Sequence, residues 1–169
     1  MSINTSKNTT ISLMTNPSLS LQEKYAPKGI CFGCGCQNKK GLQVKSYIEN
    51  NLIVSSWNSE KHHEAFPGVL NGGIIGSLLD CHSNWAAAYH IMLSQNLDQT
   101  PCTVTGDYSV KLKRPTPSNQ SLDIIAKLSK IDGNRAWIDS YIRVGDKISA
   151  TCSGLFVAVD ETHPAYHRW

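Results

Sequence analysis

The stretch Asn71-Gly72-Gly73-Ile74-Ile75-Gly76-Ser77-Leu78-Leu79-Asp80 opens a run that continues to Leu93 with no proline and, beyond Gly73, only Gly76 as a glycine. Apolar residues fall at Ile74, Ile75, Leu78, Leu79, Ala86, Tyr89 and Leu93. That three-and-four spacing predicts one long helix, largely buried, which the polar segment Asn96 to Pro101 closes.

Around this helix the chain reads as strands. Upstream, Leu42, Val44 and Ile48 alternate with polar residues and predict a strand, Asn50-Asn51 a turn, and Leu52 to Trp57 a second strand. His62 to Leu70, with Pro67-Gly68, reads as an irregular connection. Downstream, strands are expected over Thr103–Lys113, Leu122–Ile131, Trp137–Val144 and Ile148–Val159, in meander order, with turns at Asp132-Gly133 and Gly145-Asp146. One long helix with consecutive antiparallel strands predicts an α+β fold with the sheet wrapped around the helix.

The 169 residues, 40% hydrophobic and 17% charged, suffice for one domain with a real core. Residues 1 to about 20, rich in Ser, Thr and Asn, read as a mobile tail with a short helix near Leu19 to Tyr25. The expected boundaries are a tail over 1–29, one domain over 30–160 and a C-terminal tail over 161–169. A net charge of +3 lacks the basic stripe of a nucleic-acid binder. No apolar run reaches the roughly 20 residues of a membrane span. Neither nucleic acid nor membrane is therefore expected as a partner. The six cysteines do not form the dense framework of a small secreted domain, and the N-terminus has no charged-then-apolar signal pattern. Both features point to reduced thiols and a cytoplasmic location.

Two features of the helix carry chemistry. Gly72-Gly73 stands at its start, where unpaired N–H groups and a positive partial charge can hold a carbonyl oxygen as it becomes an oxyanion. The same glycines would also permit plain tight packing. Asp80 lies in an apolar helix, where burial would raise its pKa and suit it to base chemistry; the alternative is a structural Asp bonded to a strand. Gly72 and Asp80 are eight positions apart, about 12 Å along one helix. If they cooperate, two antiparallel copies of the helix must face each other, in a dimer with two symmetric sites.

Cys31-Phe32-Gly33-Cys34-Gly35, Asn38 and Gly41-Leu42 resemble the opening motif of a subgroup of hotdog-fold acyl-CoA thioesterases, within the 4-hydroxybenzoyl-CoA thioesterase superfamily. His63, Pro67-Gly68, Gly72-Gly73-Ile74-Ile75 and Leu78-Leu79-Asp80 resemble the central motif of the same family, and Arg114-Pro115 and the strand Ala150 to Val159 its later signature. The resemblance covers residues 30 to 160. It implies a hotdog fold, dimers that often pair into tetramers, and hydrolysis of an acyl-CoA without a cofactor. By position, Asp80 matches the family's catalytic carboxylate, general base or nucleophile, and Gly72 the residue whose backbone N–H polarises the thioester. Thr105 falls where phenylacetate-pathway relatives place a hydroxyl that orients water. The family usually has His directly before the two glycines. Here stands Asn71, which can donate a hydrogen bond or cap the helix but cannot titrate near neutral pH. That departure keeps a non-catalytic acyl-CoA or lipid-binding protein as the alternative.

Other residues complete the expected site. His63 could line its acyl or thioester end, or belong to a solvated loop, and Gly73 stands at the helix start. Asn84, one turn after Asp80, shares its face, whereas His82 points away. Lys111, Lys113 and Arg114 put three cations near the end of one strand, where they could meet the phosphates of coenzyme A; the alternative is surface charge with no partner. Cys31-x-x-Cys34 has no second CxxC to complete a zinc site, so this segment is expected as a packed loop and no metal is expected.

Overall fold

A computed structural model describes residues 19–166. In chain order the elements are α1 (Leu21–Tyr25), β1 (Tyr47–Glu49), β2 (Leu52–Trp57), a 3-10 turn (Lys61–His63), β3 (Glu64–Phe66), β4 (Val69–Leu70), α2 (Gly72–Ser94), β5 (Thr103–Leu112), β6 (Leu122–Asp132), β7 (Arg135–Val144) and β8 (Lys147–Ala158). Six strands form one antiparallel sheet in the order β1-β2-β6-β7-β8-β5, and β3 and β4 make a separate hairpin.

The sheet curls around α2. Alternate residues of β6 and β7 point inward, among them Leu122, Ile124, Ala126, Ile138 and Ile142, all buried. They meet Leu78, Leu79, Ala86 and Ala87 of α2, and the small alanine side chains let helix and sheet approach closely. Each large side chain so buried contributes roughly 1.5–3 kcal/mol. Local turn chemistry closes the hairpins. Asn50 and Asn51 both adopt positive φ, as a tight two-residue turn demands, and Gly133 and Gly145 supply positive φ at the other two. Among the described residues, no helix is long and apolar enough to cross a membrane.

Several expectations change. The last four strands are not one meander: β5 pairs with β8, at the far edge, and only β6, β7 and β8 follow in order. The strand expected over Leu42 to Ile48 is a ladder only from Tyr47. Leu42 and Val44 are buried, but their N–H groups bond to Phe32 and Gly33 of the cysteine loop, and Gln43 has φ of 49°. The connection before α2 is partly regular, with β3 and β4 hinged at Pro67-Gly68, where Gly68 takes φ of 79°. The tail boundary at 29 also moves. The short helix is present as α1, capped by a Ser20–Glu23 capping box, and Leu21 and Gln22 are buried. At the other end Ala165 lies against the cavity that Asp80 lines. The rest of both expected tails, 1–18 and 167–169, lies outside the described residues.

A buried polar chain ties α1 to the core. Gln22 donates to Ser46 Oγ at 2.9 Å and accepts from Ser46 N–H at 2.8 Å. Ser46 Oγ lies 2.9 Å from His82 Nδ1, and His82 Nε2 lies 2.9 Å from the Ile53 carbonyl. A carbonyl only accepts, so Nε2 carries the proton and Nδ1 accepts from Ser46. Complete burial of His82 holds its pKa down at about 4. In the unfolded chain it protonates below about 6.5. Its contribution to stability is therefore complete above that pH and is lost as pH falls toward 4, where the folded state takes the proton as well. Urea unfolding should show a loss on the order of 3 kcal/mol across this window, and His82→Gln should flatten it.

Candidate active site

Asp80 sits half-buried on the flank of α2 that faces the edge strand β5. Its flank runs through Gly73, Ser77 and Asn84, all at least partly exposed. A bulge in β5, between Thr105 and Asp107, turns Thr105 toward the helix. Its hydroxyl donates to Asp80 Oδ1 at 2.7 Å. Burial raises the pKa of Asp80, the Thr105 bond lowers it, and negative charge at Cys31 raises it again, so the net direction is up. The carboxylate opens on a cavity of about 270 Å³ shared with Asn84, Thr103 and the thiols of Cys31, Cys34 and Cys81.

Asn84 lines this cavity but does not bond Asp80. Its Nδ2 donates to the Thr103 carbonyl at 3.4 Å and its Oδ1 accepts from the Thr103 hydroxyl, which fixes the carboxamide against β5. His82, expected to point away, is buried on the opposite side of the helix.

The remaining expected residues gather at the start of α2. Asn71 is the N-cap: its Oδ1 accepts from Gly73 N–H at 2.8 Å and Ile74 N–H at 3.4 Å. Its backbone carbonyl accepts from Ile75. Among the described residues, this leaves the exposed Gly72 N–H as the first-turn donor with no acceptor. Leu112, at the end of β5, lies over Gly72. Lys113 and Arg114 follow it, exposed, with both backbone N–H groups bonded to the Ser149 carbonyl.

His63 lies beside the start of α2, on the Asn71 side rather than in the cavity of Asp80. Its ring is buried against Trp57 with centroids 5.2 Å apart, and Nδ1 accepts from Glu60 N–H. Its carbonyl accepts from Asn71 N–H at 3.0 Å. Burial lowers its pKa and favours the neutral ring. His63 thus sets the cap residue in place rather than facing the cavity. The structure therefore divides the expected residues into two groups, Asp80, Thr105 and Asn84 in one, and Asn71, Gly72, Gly73, Lys113 and Arg114 in the other. Eight helical residues, about 12 Å, separate them.

The cysteine loop holds what the sequence reading passed over. It is packed, as expected, but Cys81 of α2 joins Cys31 and Cys34 there, with the three sulfurs within 4.8 Å of one another. Hydrogen bonds from the Cys34 and Cys81 side chains, and from the Cys34 and Gly33 backbone, hold Cys31 far below the usual thiol range, at about 2. The same pairing pushes Cys34 up to about 12 and Cys81 upward as well. Cys31 is the first of the three to ionise. Forty-seven positions separate Cys81 from the CxxC, so no local spacing signals this convergence.

No family model and no curated protein matches the chain. Solved structures do. A thioesterase superfamily protein from Shewanella loihica aligns at TM-score 0.58 and 22% identity, over 69% of this chain and 91% of its own. A thioesterase from Haemophilus influenzae aligns at 0.64 and 16%, over 78% and 90%. The E. coli PaaI protein, from the phenylacetic acid degradation operon, aligns at 0.60 and 16%, over 70% and 81%. The chain shares their fold, an antiparallel sheet around one long helix, which is the hotdog fold.

Asn71→Ala should cost about 1 kcal/mol of stability in chemical denaturation, whereas Asn71→Asp, which keeps the capping oxygen, should not.

Proposed function

We propose that the chain hydrolyses an acyl thioester, an acyl-CoA foremost, to the free acid and thiol. The observation that carries this reading is Asp80, a carboxylate shifted toward neutrality by burial, oriented by Thr105 and open to a cavity. Such a group suits proton abstraction from water, or direct attack on a carbonyl. In the first route the water oxygen bonds to the carbonyl carbon, the C–S bond breaks, and the proton taken by Asp80 passes to the departing thiolate. The developing oxyanion needs a fixed donor, and Gly72 N–H stands at the positive end of α2. The names of the structural neighbours from Shewanella and Haemophilus agree with this chemistry.

Within one chain Gly72 is too far from Asp80 to share a reacting carbon. The working unit in this reading is a homodimer, or a tetramer built of two, in which each site takes Asp80 from one protomer and Gly72 from its partner. Among the described residues β5 is the sheet's long unpaired edge, with Tyr108 and Leu112 exposed on it beside Gly76 and Gly72. An edge of this kind favours pairing with a second copy. Lys113 and Arg114 at its end suit the phosphates of coenzyme A. One observation favours a second reading, an acyl-CoA-binding protein without turnover: the side-chain oxygen of Asn71 is engaged in capping, and no titratable side chain stands at that position.

Asp80→Asn should lower kcat on short, long or aromatic acyl-CoA substrates by about 10²–10⁴-fold with assembly unchanged. Full turnover in that variant overturns the role of Asp80, and tight binding without turnover by the natural chain favours the second reading. Gly72→Pro removes the donor N–H while suiting the first helical position. If the site is shared, mixed dimers of Asp80→Asn and Gly72→Pro chains regain activity that neither variant has alone. No recovery in verified mixed dimers would place each site within one protomer.

A further inference from the structure

We infer that Cys31, Cys34 and Cys81 form a binding site for a thiophilic metal ion, Zn²⁺ first among them. This rests on sulfur geometry and loop packing and stands apart from the hydrolytic reading. Cys31 Sγ and Cys81 Sγ are 3.6 Å apart, and all three sulfurs lie within 4.8 Å. Thiolates around one zinc, each at about 2.3 Å, are separated by roughly 3.8 Å in a tetrahedral site. A disulfide needs about 2.05 Å. The observed spacing is that of ligands around a common centre.

The loop is built to hold this spacing. Cys31-Phe32-Gly33-Cys34-Gly35 is a tight turn closed by Gly35 N–H to the Cys31 carbonyl at 2.9 Å. A Cβ at Gly35 would fall 2.4 Å from the Cys31 nitrogen, so only glycine fits there. A Cβ at Gly33 would fall 2.3 Å from Cys81 Sγ. Gly33 therefore leaves the space through which the helix thiol reaches the CxxC. Trp85, one turn after Cys81, donates its indole N–H to Cys34 Sγ at 3.3 Å, the outer hydrogen bond that steadies a thiolate ligand. Three protein ligands leave a fourth position, and Cys31 is exposed while all three cysteines line the cavity with Asp80. A site with three sulfurs and one open position can take a water, or a sulfur or oxygen of a bound molecule. Cys36 is outside the group, its sulfur held by Lys45 at 3.1 Å.

The test uses the full chain, purified under reducing conditions and stripped of metal, then titrated with Zn²⁺ and, separately, with Co²⁺. The expected result is about one bound ion per chain and thiolate-to-cobalt charge-transfer absorption in the near ultraviolet. Cys31→Ser, Cys34→Ser and Cys81→Ser should each abolish that absorption, and Cys36→Ser should leave it unchanged. Trp85→Phe should weaken Zn²⁺ affinity by about 10–100-fold. Should Cys81→Ser fail to fold, the natural chain decides: Zn²⁺ must protect the three thiols from a thiol reagent and raise the melting temperature. No uptake by the natural chain overturns the proposal. So does retention of the cobalt band in the cysteine variants, or a disulfide among these cysteines that forms as readily with saturating Zn²⁺ as without it.

Discussion

The buried chain Gln22–Ser46–His82–Ile53 sets the roll of the central helix. An imidazole in the middle of an apolar core is costly unless both ring nitrogens are satisfied. Here they are satisfied from two different elements, the segment before β1 and strand β2. The helix can rotate about its axis only by breaking both bonds at once. With His82 turned inward, Asp80, two positions earlier and about 200° around the helix, must face the edge strand β5 and the cavity. Cys81 is turned toward the cysteine loop, and α1 is held down through Gln22. A hydrogen-bonded core histidine thereby determines which side chains α2 presents to the cavity.

Local signals made much of this architecture legible in the sequence. The long helix, its glycine start and the turns at Asn50-Asn51, Asp132-Gly133 and Gly145-Asp146 all depend on residues within a few positions of one another. Nonlocal pairing was not legible. Nothing in Thr103 to Leu112 says that this strand joins β8 rather than β6, because both partners have the same alternation. The reading of Leu42 to Ile48 as one strand took burial for ladder: Leu42 and Val44 alternate because they fill the core, while their hydrogen bonds go to a loop.

The candidate site was legible to the same degree. Asp80 stands out as a carboxylate in an apolar helix, and Thr105, indicated by family resemblance and by no local pattern, comes into reach through a bulge that the sequence did not announce. The part His63 plays was not legible: its place before the helix start is a local signal, whereas the packing of its ring on Trp57 and the bond from Asn71 to its carbonyl come from folding. Cys81 went unnoticed for the same reason. Its partners are distant in the chain, and only folding brings the thiols together. Asn71 marks the exchange between roles: a side chain that caps the helix well leaves Gly72 as the donor of the first turn.

The two ends of the sheet are unequal, and this bears on how copies can assemble. At one end β1 is three residues long and stops at the Asn50-Asn51 turn; at the other β5 presents ten residues. A sheet with two long edges can add units at both and grow into a fibre. A sheet with one usable edge pairs only like with like, edge against the same edge, and each pairing consumes the only edge either partner had. The shortness of β1 thus leaves β5 as the long free edge among the described residues, so in the proposed assembly strand pairing would stop at two.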